Sequence, residues 1–361
     1  MSPPPASAAG GPLSFTNFGY TDEMRNMNAM ENRTLGRTGR QVSCVGLGTW
    51  QLGADWGDVS EEDAVAVLDA AVDSGITFFD TADVYGDGRS ERVIGGFLAD
   101  RGLRDTVTVA TKMGRRVDQV PENYTLANFR TWVDRSRGNL GVDTLELVQL
   151  HCPPSAVYGD DQVFDALDTL VEEQAIAHYG VSVETVAEAL EAIRRPNVAT
   201  VQIIVNAFRL KPVDEVLSVA ADAGVGIIAR VPLASGLLSG KYDESTTFPE
   251  NDHRNFNRNG EAFDVGETFS GVPFDTGLAA ARDFSALVAD AAPEGTTPAA
   301  AAIAWLWQHP QISTVIPGAR NVDQARANAE AGRVALLGAE FDAGVQSIYD
   351  RYLRDVVHST W

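Results

Sequence analysis

The segment SEEDAVAVLDAAVDSGITFFD (60–80) carries both periods of an α/β protein within 21 residues. From 60 to 75 the apolar residues recur at helical spacing, and Gly75 stops the pattern. ITFFD (76–80) then reads as a short buried strand, being apolar, β-branched and aromatic. The same succession repeats along the chain. Strand-like runs stand at CVGLG (44–48), TVTVAT (106–111), LELVQL (145–150), AHYGVS (177–182), TVQIIV (200–205), GIIAR (226–230) and STVIP (313–317). With 76–80 they number eight, and amphipathic stretches such as 125–141 separate them. Eight strand–helix repeats predict a closed (β/α)8 TIM barrel, an α/β fold, rather than an open doubly wound sheet. No G-x-G-x-x-G follows the first strand, which weighs against the open alternative.

Residues 1–30, rich in Pro, Ala, Gly, Ser and Asn, read as a disordered tail, and 31–361 as a single barrel domain. One interval is out of line. After the seventh strand, 241–276 reads as a long loop, on the face where barrel active sites form. Helices are expected at 277–291, 298–308 and 321–331, and a C-terminal helix at 341–357.

The 361 residues are 44% apolar and 22% charged, with a net charge of −22. So acidic a chain argues against nucleic acid and against an anionic membrane surface as partners. The expected partner is a small molecule, and both a monomer and a homo-oligomer stay open. Cys44 and Cys152 show no metal or disulfide spacing, which suits a reducing cytoplasm. No metal is expected. Only three of the 28 basic side chains are lysines, at 112, 211 and 241.

In a barrel, catalytic groups stand at the C-terminal ends of strands. Here those ends carry Asp80 with Tyr85 just beyond, Lys112 and His151. Each alone has an ordinary structural explanation: a cap, a rim phenol, a buried ion pair, a core imidazole. Together they make a proton donor. An ammonium stabilises phenolate, an acid balances the ammonium, and an imidazole orients a carbonyl oxygen.

The pattern resembles the aldo-keto reductase superfamily. The matching segments are NRTLGRTGRQVSCVGLGTW (32–50), FFDTADVYGDGRSERVIGGFL (78–98), VATKMG (109–114), LVQLHCPP (147–154), GVS (180–182), VPLASGLLSGKY (231–242) and IPGARNVDQARAN (316–328). The opening segment looks like the branch that includes potassium-channel β subunits and many bacterial reductases. The resemblance implies NADP(H) as cofactor and reduction of an aldehyde or ketone, or the reverse oxidation. It makes Tyr85 the general acid, tuned by Asp80 and Lys112, with His151 on the carbonyl. Trp50, Tyr85 and His151 would meet substrate. Gly48, Thr49 and Trp50 would line the site, and Ser182, Gln202 and Arg230 would surround the nicotinamide. Pro232, Leu233, Ser235, Gly236, Leu237 and Lys241 would wrap the pyrophosphate. Gly318, Arg320, Gln324 and Asn328 would hold the adenosine end, Arg320 with a fork suited to a 2′-phosphate. Backbone N–H groups at the start of the helix near 321 would face the same anion.

Three positions depart from the family pattern: Val183 replaces an asparagine, Arg230 a stacking aromatic, and Ala327 a glutamate. A guanidinium at 230 disfavours a cationic NADP⁺ ring relative to NADPH. Two other readings compete: a slow NADP(H)-binding regulatory subunit of the same fold, and a Schiff-base barrel using Lys112. The substrate pocket is expected to involve Trp50, Tyr85 and Val117. Phe248, Phe256, Phe263, Phe269 and Phe274 make either a hydrophobic lid or the loop's own core. Arg254 and Arg258 are candidates for contact with a phosphate or an acidic substrate.

Overall fold

The computed structural model describes residues 30–53, 59–250, 252–262 and 264–361. The expected tail, apart from Met30, and Phe263 lie outside them. A hairpin comes first: β1 (Asn32–Thr34) pairs antiparallel with β2 (Gln41–Ser43). Eight parallel strands follow: β3 (Leu47–Gly48), β4 (Phe78–Asp80), β5 (Thr108–Met113), β6 (Leu145–His151), β7 (Ile176–Ser182), β8 (Val198–Ile204), β9 (Gly226–Arg230) and β10 (Ile312–Val315). Each pairs with the next in chain order. Parallel bridges Val45–Val315 and Gly48–Gly318 join the last strand to the first, so the sheet closes as a TIM barrel.

The expected helices are present. Ser60 caps the first, α1 (Glu61–Asp73), accepting from the Asp63 N–H at 3.0 Å. Then come α2 (Arg89–Arg101), α3 (Leu126–Leu140), α4 (Asp161–Glu172) and α5 (Val186–Ile193). After the long loop stand α6 (Phe274–Ala291), α7 (Pro298–Trp307), α8 (Val322–Glu330) and α9 (Gly338–Tyr352). The last ends before its expected bound, and a π-helical turn, Arg354–His358, continues it.

The hairpin is the element the sequence reading lacked. It seals the N-terminal end of the barrel. Leu35 and Val42 pack with Phe78, Ala110, Leu147, Ile228 and Ile316 inside the strands. Full burial of side chains this size contributes about 1.5–3 kcal/mol each. Gly36 has φ +48°, and a Cβ there would meet Gly226 N at 2.1 Å. Only glycine lets the turn approach the barrel so closely.

Parallel register then sets the other end. Gly48 lies beside Asp80, Lys112 beside Gln149, and His151 beside Ser182, itself beside Gln202. The sequence-predicted chemistry therefore sits on adjacent strands at one height.

Candidate active site

A cleft of about 310 Å³ opens at this C-terminal end. Of the four predicted catalytic residues, Asp80, Tyr85 and His151 line it, and Lys112 is buried behind Asp80 and Tyr85. Lys112 is 1% exposed, and its ammonium is paired with the Asp80 carboxylate. It also donates to the Thr81 carbonyl at 2.9 Å and to the Tyr85 hydroxyl at 3.3 Å. Burial opposes the Lys112 charge, yet Asp80 and Tyr85 lift its pKa above the usual lysine value. A nitrogen charged and engaged in this way is no nucleophile, which removes the Schiff-base reading.

Tyr85 is half-buried, between Trp50 (rings stacked, centroids 6.0 Å apart) and His151 (edge-on, 6.0 Å). Gly86 follows at φ +57°, with the Gly53 carbonyl where a Cβ would sit; this tight turn fixes the phenol. Desolvation raises the Tyr85 pKa above that of a free tyrosine, against the opposing pull of Lys112. Residue types alone indicate only the pull; the burial that opposes it is visible only in the fold. His151 is held well below the usual histidine range by burial and by the nearby Arg115, Lys112 and Arg230 charges. Its imidazole is neutral. Nδ1 is buried without a partner among the described residues, which leaves Nε2 as the nitrogen open to the cleft.

Asp80 has a second set of partners. Its Oδ2 accepts from Gln202 Nε2 at 2.7 Å and Gln149 Nε2 at 3.2 Å. Gln202 keeps Oε1 for the cleft. Gln149 carries no motif signal of its own, but it lies two residues before His151 and so on the same strand face. Thr49 lines the cleft while its hydroxyl donates to the Asp80 carbonyl at 2.8 Å and accepts from Ser90 at 2.9 Å.

Of the predicted cofactor residues, Gly48, Thr49, Trp50, Ser182, Gln202, Arg230, Pro232, Leu233, Ser235, Gly236, Gly318, Arg320 and Gln324 line the cleft. Three do not. Leu237 is in the core, its side chain against Gly277. Lys241 is exposed, because Gly240 at φ +70° turns the chain outward ahead of it. Asn328 acts at one remove, donating to the Gly318 carbonyl at 3.0 Å. The start of α8 is also less open than expected. Asn321 takes the Gln324 N–H at 2.9 Å, and Gln324 takes the Arg320 N–H at 2.8 Å. The cation that reaches out at that end is the Arg320 side chain, 41% exposed and 3.5 Å from Asp252.

The segment after β9 is strained. Val231, Ala234 and Ser235 have φ of +55°, +46° and +55°. Left-handed backbone at such residues costs on the order of 1–3 kcal/mol each and clusters where ligands are clamped.

Arg230 belongs to a charge network that the sequence did not foretell. It donates to Glu184 at 2.8 Å and to the Val183 carbonyl at 3.0 Å, and lies 3.5 Å from Glu267. Arg115 pairs with the same two acids at 3.3 and 3.4 Å. Arg209, 1% exposed, donates to the Glu184 carbonyl and lies over the Trp361 ring at 4.2 Å. Burial opposes the Arg230 charge, but Glu184 and Glu267 hold its pKa well above the usual value.

The long loop resolves two open alternatives. Tyr242, Phe248, Phe269 and Phe274 pack on one another, with centroids 5.2–6.5 Å apart. They form the loop's own core rather than a lid, and Phe256 is exposed. Arg258 lies over three of these rings, at 5.2–6.0 Å. Val117 is exposed and outside the cleft wall. What the loop brings to the cleft is polar: His253, Arg254 and Glu267. His253 packs on Trp50 with centroids 5.9 Å apart.

This barrel, with Asp80, Lys112 and Tyr85 in contact and a neutral histidine beside them at its C-terminal mouth, defines a class. Residues 44–350 match the model of the aldo/keto reductase family, and the chain belongs to that family. It is 32% identical over 230 residues to the aldo-keto reductase YhdN of Bacillus subtilis, covering 63% of this chain and 69% of that one. It is 28% identical to the Schizosaccharomyces pombe aldo-keto reductase yakc [NADP(+)], covering 82% and 86%. Among solved structures, the glycerol dehydrogenase of Gluconobacter oxydans superimposes with a TM-score of 0.72 at 28% identity, over 91% of this chain and 96% of that one.

Proposed function

We propose that the protein reduces an aldehyde or ketone to an alcohol with NADPH, or runs the reverse oxidation, with Tyr85 as general acid or base. The observation that carries this reading is the chain Asp80–Lys112–Tyr85 beside an imidazole held neutral. The residues present fit the cofactor. Gln202 Oε1 and Ser182 offer acceptors to a carboxamide. Pro232, Leu233, Ser235 and Gly236 wall the cleft where a pyrophosphate would lie, and Arg320 with Arg254 suits a 2′-phosphate. The relative whose name carries NADP(+) supports the same choice. When bound, NADPH supplies the hydride.

The side chains do the rest. His151 Nε2–H donates to the carbonyl oxygen and orients it. Tyr85 gives that oxygen its proton. Lys112 stabilises the phenolate left behind, and Asp80 holds Lys112 in place with help from Gln149 and Gln202.

Fluorescence titration with NADPH and NADH, followed by a nitrobenzaldehyde and absorbance at the nicotinamide band, tests the reading. Tighter binding of NADPH and turnover are expected. Tight binding without turnover would favour a cofactor-binding regulatory role instead.

A further inference from the structure

Glu267 is a carboxylate inside the cleft, and its two oxygens are used differently. Oε1 takes both guanidiniums, Arg115 at 3.4 Å and Arg230 at 3.5 Å. Oε2 has no partner among the described residues and keeps surface toward the cleft. The backbone holds it there. Ser235 Oγ donates to the Glu267 carbonyl at 3.1 Å, the Phe269 N–H donates to the same hydroxyl at 2.9 Å, and the Glu267 N–H reaches the Asp264 carbonyl at 3.1 Å. Side chain and main chain are both tied, so Oε2 is a fixed acceptor rather than a swinging one.

The cleft it lines also holds Trp50, Tyr85, His151 and His253, and Tyr85 and His253 lie close enough to feel its charge. Burial lowers the His253 pKa despite the adjacent Asp252, so that ring brings no positive charge at neutral pH. The donors of Arg230 are turned to Glu184, Glu267 and Val183. This wall therefore offers an incoming molecule an anionic acceptor next to an aromatic surface, with the nearby cations already engaged.

We infer that Glu267 selects substrate by charge: the site takes uncharged, hydroxyl-bearing carbonyl compounds and rejects carbonyl compounds that carry a carboxylate. The inference rests on the reductase reading and specifies its substrate class. A substrate hydroxyl can donate to Oε2 and form a charge-assisted hydrogen bond. A substrate carboxylate there meets a like charge in a poorly solvated place, where the Arg115 and Arg230 guanidiniums are already turned to Glu184 and Glu267.

The test uses two matched pairs of aldehydes with the full-length protein and saturating NADPH. One pair is 4-carboxybenzaldehyde against 4-methylbenzaldehyde; the other is glyceraldehyde against propanal. In the wild type, kcat/KM for the carboxylated member should be at least tenfold below its neutral partner, and glyceraldehyde should exceed propanal. In Glu267→Gln the first ratio should shift at least tenfold toward the carboxylated compound, through KM. Glu267→Asp, which keeps the charge, should retain the discrimination and guards against a folding artefact in the amide variant. Ratios equal in wild type and Glu267→Gln, or a wild type that prefers 4-carboxybenzaldehyde, would overturn the proposal and leave the reductase reading intact. Absence of turnover on all four aldehydes with NADPH bound would overturn both.

Discussion

Asp252, carried by the loop after β9, lies 3.5 Å from the guanidinium of Arg320 at the far end of the cleft. The same carboxylate is gripped by Arg254 through two bonds of 2.5 and 2.8 Å. Burial opposes its charge, but Arg254 and His253 hold its pKa far below the usual aspartate range. It stays ionised at any working pH and competes with an incoming phosphate for Arg320.

Two substitutions should therefore act in opposite directions. Arg320→Ala removes a charge-assisted contact of about 1.5–3 kcal/mol, so NADPH affinity should fall roughly 10- to 100-fold with little change for NADH. Asp252→Asn removes the competitor and should tighten NADPH relative to NADH. Titration of both cofactors against both variants reads this directly.

Arg230 lines the cleft as a fixed, charged guanidinium. Arg230→Tyr should narrow the preference for NADPH over NADP⁺, since the repulsion between two cations is gone. An affinity ratio unchanged from wild type would show that Glu184 and Glu267 already cancel the charge.

The proton donor sets the pH profile. Desolvation raises the pKa of Tyr85 above the free value, about 10. The phenol is thus protonated throughout the neutral range, and His151 is neutral there too. For reduction, kcat should be flat through neutral pH and fall only above about pH 10. Lys112→Met, which removes stabilisation of the phenolate, should lower kcat by roughly 10²–10⁴. Pre-steady-state rates across pH would show both.

Asp83, two residues before Tyr85, is fully buried, and its carboxylate has no side-chain partner among the described residues. Burial, and then the Glu91 charge, push its pKa up to about 7. The unfolded chain ionises near 3.8, so between about pH 4 and 7 the folded state holds a proton that the unfolded state has released. Stability falls as pH rises through that window, by up to a few kcal/mol, and the full loss is present above pH 7. Asp83→Asn should raise the melting temperature at pH 8 and do much less at pH 5.

The sequence and the structure part company for physical reasons. The barrel strands were legible because a parallel strand covered on both faces is a continuous apolar run, as TVQIIV is. Asp80, Lys112 and His151 were legible because strand ends are the one place where barrel chemistry gathers. The hairpin was not, since strands of three residues such as Asn32–Thr34 carry no periodicity. Glu267 and His253 were equally hidden. They come from a loop of irregular backbone, and only the packing of Phe248, Phe269 and Phe274 brings them to the cleft. Lys241 fails the other way. Its motif position suggests a phosphate contact, but the turn at Gly240 carries it to solvent.

The central claim is that Tyr85 moves the proton. Single-turnover oxidation of bound NADPH by a nitrobenzaldehyde, compared between wild type and Tyr85→Phe, tests it most directly. The account predicts that removing the hydroxyl slows this step by at least about 10²-fold while the Kd for NADPH stays within about threefold. Equal single-turnover rates in the two proteins would contradict it.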